Sequence, residues 1–517
     1  MSTSSISMSA GELTNISYRR LSSTRNEVPI SIEKTSITEN VNISGLSKHR
    51  TAMFPYLLKL IFKDCTFLED ITIDNKSEAG EVEFLNCVFS KNVHINYGNV
   101  DFKDDCLFKG NLIINTSQKG DVKISKYFLG EGELELQGVA KKVTIKDVSA
   151  SIIKFYGEVE ELLFEDINSP KGLLKFSDSS RYHKKFEIKN SSFEAINFSD
   201  ITLNTPVCII NCDIDKLITS KSSGDQRIIK IYNSRVSESK VDINVFQEVK
   251  ITDSIFGLLE MYGINGKENS FVIEKTVFNN LKFTNVINNG LFTFREVSTN
   301  NIISFKSSNL GKTDFINCNF SKAKLDFENS KMTDLFLAET EFPRKVYKNG
   351  KLNYRQAQLA FGQIATACQK QGDNIRTLEY NSREVEAHYK TIKFFSGDFF
   401  QKINLSLNFI SNNFGRDWMR GVFFSLCIGL LFFCLLLIST NNYEWGIPMI
   451  DTELISPYLK FMNPLRFFEL ESIFNNTSNE GNIILNGASF IADFLGRIFV
   501  AYGYYQTIQA FRRFGKK

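Results

Sequence analysis

The sequence predicts a mixed fold: a parallel β-helix solenoid, then an α-helical hairpin, then two transmembrane helices. Three observations predict it. A tetrapeptide recurs about every 21 residues, the apolar period switches from two to 3.6 after Pro343, and the run Gly421–Tyr443 carries no charge.

The tetrapeptide reads Asp64-Cys65-Thr66-Phe67, Asn86-Cys87-Val88-Phe89 and Asp105-Cys106-Leu107-Phe108. It returns around Ser191, Cys212, Ser234, Ser254 and, more loosely, Thr276, at steps of 21, 22, 20 and 22 residues, and again at Asn317-Cys318-Asn319-Phe320. Degenerate copies lie near Ser125, Val148 and Ile167. Short alternating strands flank each copy, and no period has room for a helix of ten residues, so residues 46–345 are expected to wind into roughly a dozen β-helix coils. Small residues (Cys, Ser, Thr) and large ones (Phe, Ile, Val) then stack inside at equivalent positions. Asn or Asp occupies the corner because it tolerates the turn conformation. The cysteines in this pattern read as small fillers of a column, not as nucleophiles.

Composition limits the function classes. A formal net charge of +3 over 517 residues gives no field aimed at nucleic acid. Residues 1–45 are Ser/Thr/Asn-rich and are expected to be a disordered segment without an export signal. His49, His94, His183 and His388 are far apart, so neither a metal nor a cofactor is expected. Walker A, G-x-S-x-G and G-x-G-x-x-G motifs are all lacking, which argues against an enzyme.

The last coils adopt a five-residue register: Thr313-x-Phe315, Cys318-x-Phe320, Ala323-x-Leu325 and, after one broken unit, Thr333-x-Leu335. Here the chain resembles pentapeptide-repeat proteins. That resemblance implies a four-sided, right-handed β-helix.

Beyond Pro343, residues 351–396 read as a helical hairpin able to cover an open β-helix end. One helix runs from Asn353 to Lys370 and stops at Gly372, and Asp373 caps a second from about Asn374 to Lys393. Residues 398–413 are expected as an interfacial helix, with an ordinary packed helix as the other reading. A first transmembrane helix is placed at 420–443, preceded by Arg416, Trp418 and Arg420. An extracytoplasmic loop follows at 444–486, either re-entering the bilayer or resting on it. The second transmembrane helix covers 487–511, and 512–517 is a basic tail. Asp493 and Arg497 interrupt that second helix at a spacing that lets them pair. On the same side lie Ser489, Gly496, Gly503 and Thr507, a small and polar stripe suited to close helix packing or to lining water. Basic clusters place the solenoid and the C-terminus in the cytoplasm.

The order of parts also resembles bacterial pentapeptide-repeat membrane proteins with an ion-channel-like two-helix module. Tyr354-Arg355, Gly372-Asp373, Arg383-Glu384, the run Asp493 to Phe499 and Gln509 to Arg513 carry the likeness. It implies the inner membrane and assembly as a homo-oligomer. The channel signature T-x-G-Y-G is absent, so potassium selectivity is not expected. The expected function is a bilayer-anchored scaffold that offers the solenoid wall to a protein partner. The alternative is an oligomeric pore lined by the last helix.

Overall fold

The computed structural model describes residues 15–16, 30–33, 36–37, 40–44, 58–74, 80–96, 100–103, 106–129, 132–176, 181–199, 201–220, 222–393, 398–440, 452–466, 470–474 and 484–515. Two compact units divide the chain, residues 1–343 and 344–517.

The first unit is a parallel β-solenoid of about 12 turns. One column shows how its strands stack. Phe62, Phe84, Phe102, Ile124, Ile145, Phe164, Ile188, Ile209, Ile231, Ile251, Ile273, Phe294, Phe315 and Leu337 pair each with the next in parallel register. All are buried. Where successive members are phenylalanines, the rings stack face to face: Phe62 on Phe84 and Phe84 on Phe102, both at 5.1 Å between centroids. Offset stacking of this kind adds to the burial of large apolar side chains. The alternation of inward and outward residues is the strand period, repeated once per coil.

The corners explain the tetrapeptide. Its first residue lies in the left-handed region at Asp64, Asn86, Asn190, Asn211, Asn233, Asp253 and Asn317, with φ between 45° and 57°. Asn and Asp enter that region most readily among residues with a Cβ. Lys275, Glu296 and Glu339 hold the same corner at φ 47°, 54° and 47°. The second residue points inward and is not simply a filler. The Ser234 hydroxyl donates to the Tyr232 carbonyl (2.7 Å) and accepts from the Cys212 N–H of the preceding coil (3.1 Å). Ser254 repeats the pattern towards Thr252 and the Ser234 N–H, and Thr340 towards Ala338 and the Cys318 N–H. A buried corner amide needs such an acceptor. Cys, Ser and Thr share the required size and hydrogen-bonding capacity. Burial pushes the Cys212 and Cys318 thiols up to about 11, as suits inert structural sulfur.

In the last coils inward residues fall at spacings of two and three: Phe315, Cys318, Phe320, Ala323, Leu325, then, beyond Phe327, Ser330, Met332, Leu335, Leu337. Most of the segment expected to be disordered, residues 1–45, lies outside the described residues. Its described parts correct that expectation. Ile30–Glu33, Ser36–Ile37 and Val41–Ser44 are strands pairing in parallel with Leu60–Lys63, Thr66–Phe67 and Ile71–Asp74. Their apolar alternation outweighs the polar composition around them.

The second unit opens with a hairpin, Val346–Lys348 against Lys351–Leu352, turning through Asn349 and Gly350 at positive φ. Helix α1, Tyr354–Lys370, starts where Asn353 Oδ1 accepts the Gln356 N–H. It ends at Gly372 (φ 76°), where only a glycine enters the turn without strain. Asp373 then caps α2, Asn374–Thr391, by accepting the Arg376 N–H. Helices α3 (Phe399–Asn412), α4 (Trp418–Ser439), α5 (Thr452–Phe461) and α6 (Gly487–Gly515) follow. Among the described residues α4 is the one helix long and apolar enough to cross a membrane. Its 22 residues span about 33 Å. The second expected span, 487–511, is helical within α6 but fails that measure, since Asp493 and Arg497 lower its apolar character.

Candidate functional site

The residues singled out in the last helix converge on one interface. Helices α4 and α6 pack antiparallel. A Cβ added to Gly421 would meet Thr507, one on Gly503 would meet Ser425, and one on Gly496 would meet Phe432 and Phe461. At the far end the Ser439 hydroxyl donates to Ser489 Oγ at 3.0 Å. Gly421, Ser425 and Gly429 recur every fourth residue on α4, so small residues oppose small residues along the contact. Close backbone approach of this type is how helices associate where water supplies no driving force. Ser489, Asp493, Gly496, Arg497 and Gly503 are buried, and Thr507 is half-buried against Gly421.

Asp493 and Arg497 do pair: Arg497 Nε donates to Asp493 Oδ2 at 2.9 Å. The sequence did not single out their third member. Arg466 sets its Nη2 on Asp493 Oδ1, and its backbone carbonyl accepts from Arg497 Nη1 at 3.0 Å. Its guanidinium also lies 5.3 Å from the Phe461 ring centroid. Two guanidiniums on one carboxylate leave a buried net charge of +1 (two cations minus one anion). No i, i+4 signal marks Arg466, which reaches the site from a separate segment.

That segment belongs to the expected loop 444–486, of which 444–451, 467–469 and 475–483 lie outside the described residues. Its α5 runs beside α4. Leu454 joins a buried cluster with Phe433, Leu436 and Leu437. Tyr458 donates to the Leu426 carbonyl at 2.9 Å, and Met462 sits against Gly429, midway along α4. The chain turns at Asn463-Pro464 and returns to Arg466 beside Asp493. The segment therefore enters to the level of the middle of α4 and comes back.

At the opposite end of α6, Asn412 donates to Gln506 Oε1 at 2.5 Å, and its own Oδ1 accepts the Gly415 N–H at 2.8 Å. This ties α6 to the elbow between α3 and α4.

Among the described residues no group of three or more His, Cys, Asp or Glu could hold a metal ion. Comparison with protein-family models, with curated proteins and with solved structures matches nothing.

Proposed function

We propose that the chain is a membrane-anchored scaffold: α4 and α6 cross a bilayer together, and the solenoid offers its wall to a protein partner. The observation that carries this reading is the outer face of α6. Between Gly487 and Phe511 its two charged residues both turn inward, while Phe490, Ile491, Phe494, Ile498, Ile508 and Phe511 are exposed. On α4, Phe423, Leu431, Leu435 and Ile438 are exposed as well. So broad an apolar surface is unfavourable in water and suits lipid. Arg416 and Arg420 at one end of α4 and Arg512 and Arg513 at the matching end of α6 favour a cytoplasmic solenoid and C-terminus, with the inner membrane as location. The two-and-three spacing of the last coils supports a pentapeptide-type, right-handed β-helix. The wall itself carries exposed apolar pairs on adjacent coils, Ile255 beside Val277 and Ile264 beside Ile287. These suit a protein surface, with no catalysis implied.

Two experiments test this reading. The full chain expressed in a bacterium should stay with the membrane through an alkaline carbonate wash and leave it only with detergent; release by the wash overturns the anchor. A photo-cross-linker at Val277 should capture a partner that Ile255→Glu and Ile287→Glu together abolish.

The re-entrant α5 favours a second reading, an oligomeric pore, since a half-helix reaching mid-depth is a common way to line one. Against it, all six residues of the small stripe already pack within one chain. A trimer or larger assembly in detergent, with ion flux lost when Asp493 and Arg497 become alanine, would support the pore. A monomer has two spanning helices, too few to enclose a pathway.

A further inference from the structure

We propose that a cleft in the helical unit, between α1, α2 and the elbow before α4, binds the phosphate group of an anionic ligand. The cleft has a volume of about 570 Å³. Arg344, Lys345, Arg383, Lys390 and Arg416 line it, against only Glu379 and Glu386, an excess of three positive charges (five minus two).

Arg416 is the decisive residue. Its Nη1 donates to Glu386 Oε2 at 3.1 Å, but its Nε and Nη2 are buried and have no hydrogen-bond partner among the described residues. Buried guanidinium donors left unpaired are costly, so an acceptor from outside the chain is expected there. Phosphate suits them, because its oxygens match the fork of adjacent guanidinium donors. Glu386 is already shared with Lys390 (2.8 Å), and Glu379 with Arg383 (2.5 Å). Neither acid is left to neutralise Arg344 or Lys345, which have no acidic partner among the described residues.

The backbone holds Arg416 in place. Asn413, Phe414 and Gly415 are consecutive left-handed residues at φ 51°, 58° and 81°. Phe414 is buried, and its carbonyl accepts the Ser382 hydroxyl at 2.9 Å. Two non-glycine residues in that region cost free energy, and they persist where surrounding contacts over-determine them. Arg416 stands two residues before α4, so in a bilayer the cleft would lie at headgroup level. A phospholipid headgroup and a soluble phosphomonoester share the recognised chemistry. The lipid arm alone rests on the membrane reading.

The test uses the full chain in neutral detergent and native mass spectrometry, with phosphatidylglycerol, phosphatidylcholine and glycerol 3-phosphate as probes. One phosphatidylglycerol per chain should be retained in preference to phosphatidylcholine. Arg416→Gln should weaken it at least tenfold. Lys345→Glu, at an exposed position without an acidic partner among the described residues, should weaken it roughly fivefold or more, and this variant decides the matter if the first fails to fold. Glycerol 3-phosphate binding as tightly as the lipid, with the same loss in both variants, would assign the site to a soluble phosphate. Equal retention of both lipids with no phosphate binding, or unchanged binding in Lys345→Glu, overturns the site. Carbonate extraction reports on the anchor independently of either result.

Discussion

The solenoid and the helical unit are stabilised by opposite strategies. In the solenoid one device is repeated: a left-handed Asn or Asp, an inward hydroxyl or thiol satisfying the amide one coil back, and a large apolar residue on a stacked column. Each coil interacts mainly with its two neighbours, so a lost contact is local and its cost should be similar from coil to coil. In the helical unit the decisive contacts are individual pairs, not copies of one device. Gly503 exists for Ser425, Gly421 for Thr507, and Asp493 for two arginines from different segments. There each residue is specific to one partner, and a single change has no equivalent elsewhere to limit it.

The largest effect is expected at Asp493. Asp493→Ala strips the shared carboxylate from Arg466 and Arg497 and leaves two buried cations facing each other, a loss of about 3–5 kcal/mol. Thermal unfolding of the detergent-solubilised chain should show it, and Asp493→Ala combined with Arg466→Met should recover part of the loss. An unchanged melting temperature for the single variant would remove the contrast between the two units.

Next comes Gly503→Val. Its added atoms run into Ser425, so α4 and α6 must separate, at about 1–3 kcal/mol. Ser425→Gly in the same chain should relieve the crowding. Additive losses instead of relief would show that the two positions are not packed on each other.

Within the solenoid, Ser234→Ala removes the acceptor of the Cys212 amide at a cost of about 1–2 kcal/mol, whereas Ser234→Cys should be nearly neutral. Ser254→Ala should match Ser234→Ala within error, since both corners share one geometry. A large disparity between those two coils would break the idea of a repeated device. Denaturant unfolding of each variant measures it.

The smallest effect is a gain. Lys275 holds a corner at φ 47° that most coils give to Asn or Asp. Lys275→Asn should stabilise by about 0.5 kcal/mol through relief of that strain, read as a small rise in denaturant midpoint. Lys at other exposed strand positions should show no such gain.

How much of this was legible follows from what each feature depends on. The corner asparagines and the inward Cys/Ser/Thr column were readable because a coil repeats and the same physical demand recurs about every 21 residues. The thiol's role as a hydrogen-bonding group was not, because burial alone cannot distinguish a filler from an acceptor. The strands at Ile30–Glu33 and Val41–Ser44 were missed, since two or three alternating apolar residues carry little signal in a polar segment. The Asp493–Arg497 pair was readable, as helical geometry fixes the distance between residues four apart.

The period of the solenoid, the chemistry of its corners, the caps of α1 and α2, and the apolar length of α4 could all be read from the sequence, because each depends on residues near one another in the chain. That α5 folds back to the middle of α4, that Arg466 completes the buried charge cluster, and that Arg416 lines a basic cleft with two donors unpaired became visible only in the fold. Those contacts join residues 27 to 33 positions apart with no period linking them. They arise from how helices pack, which local pattern does not encode.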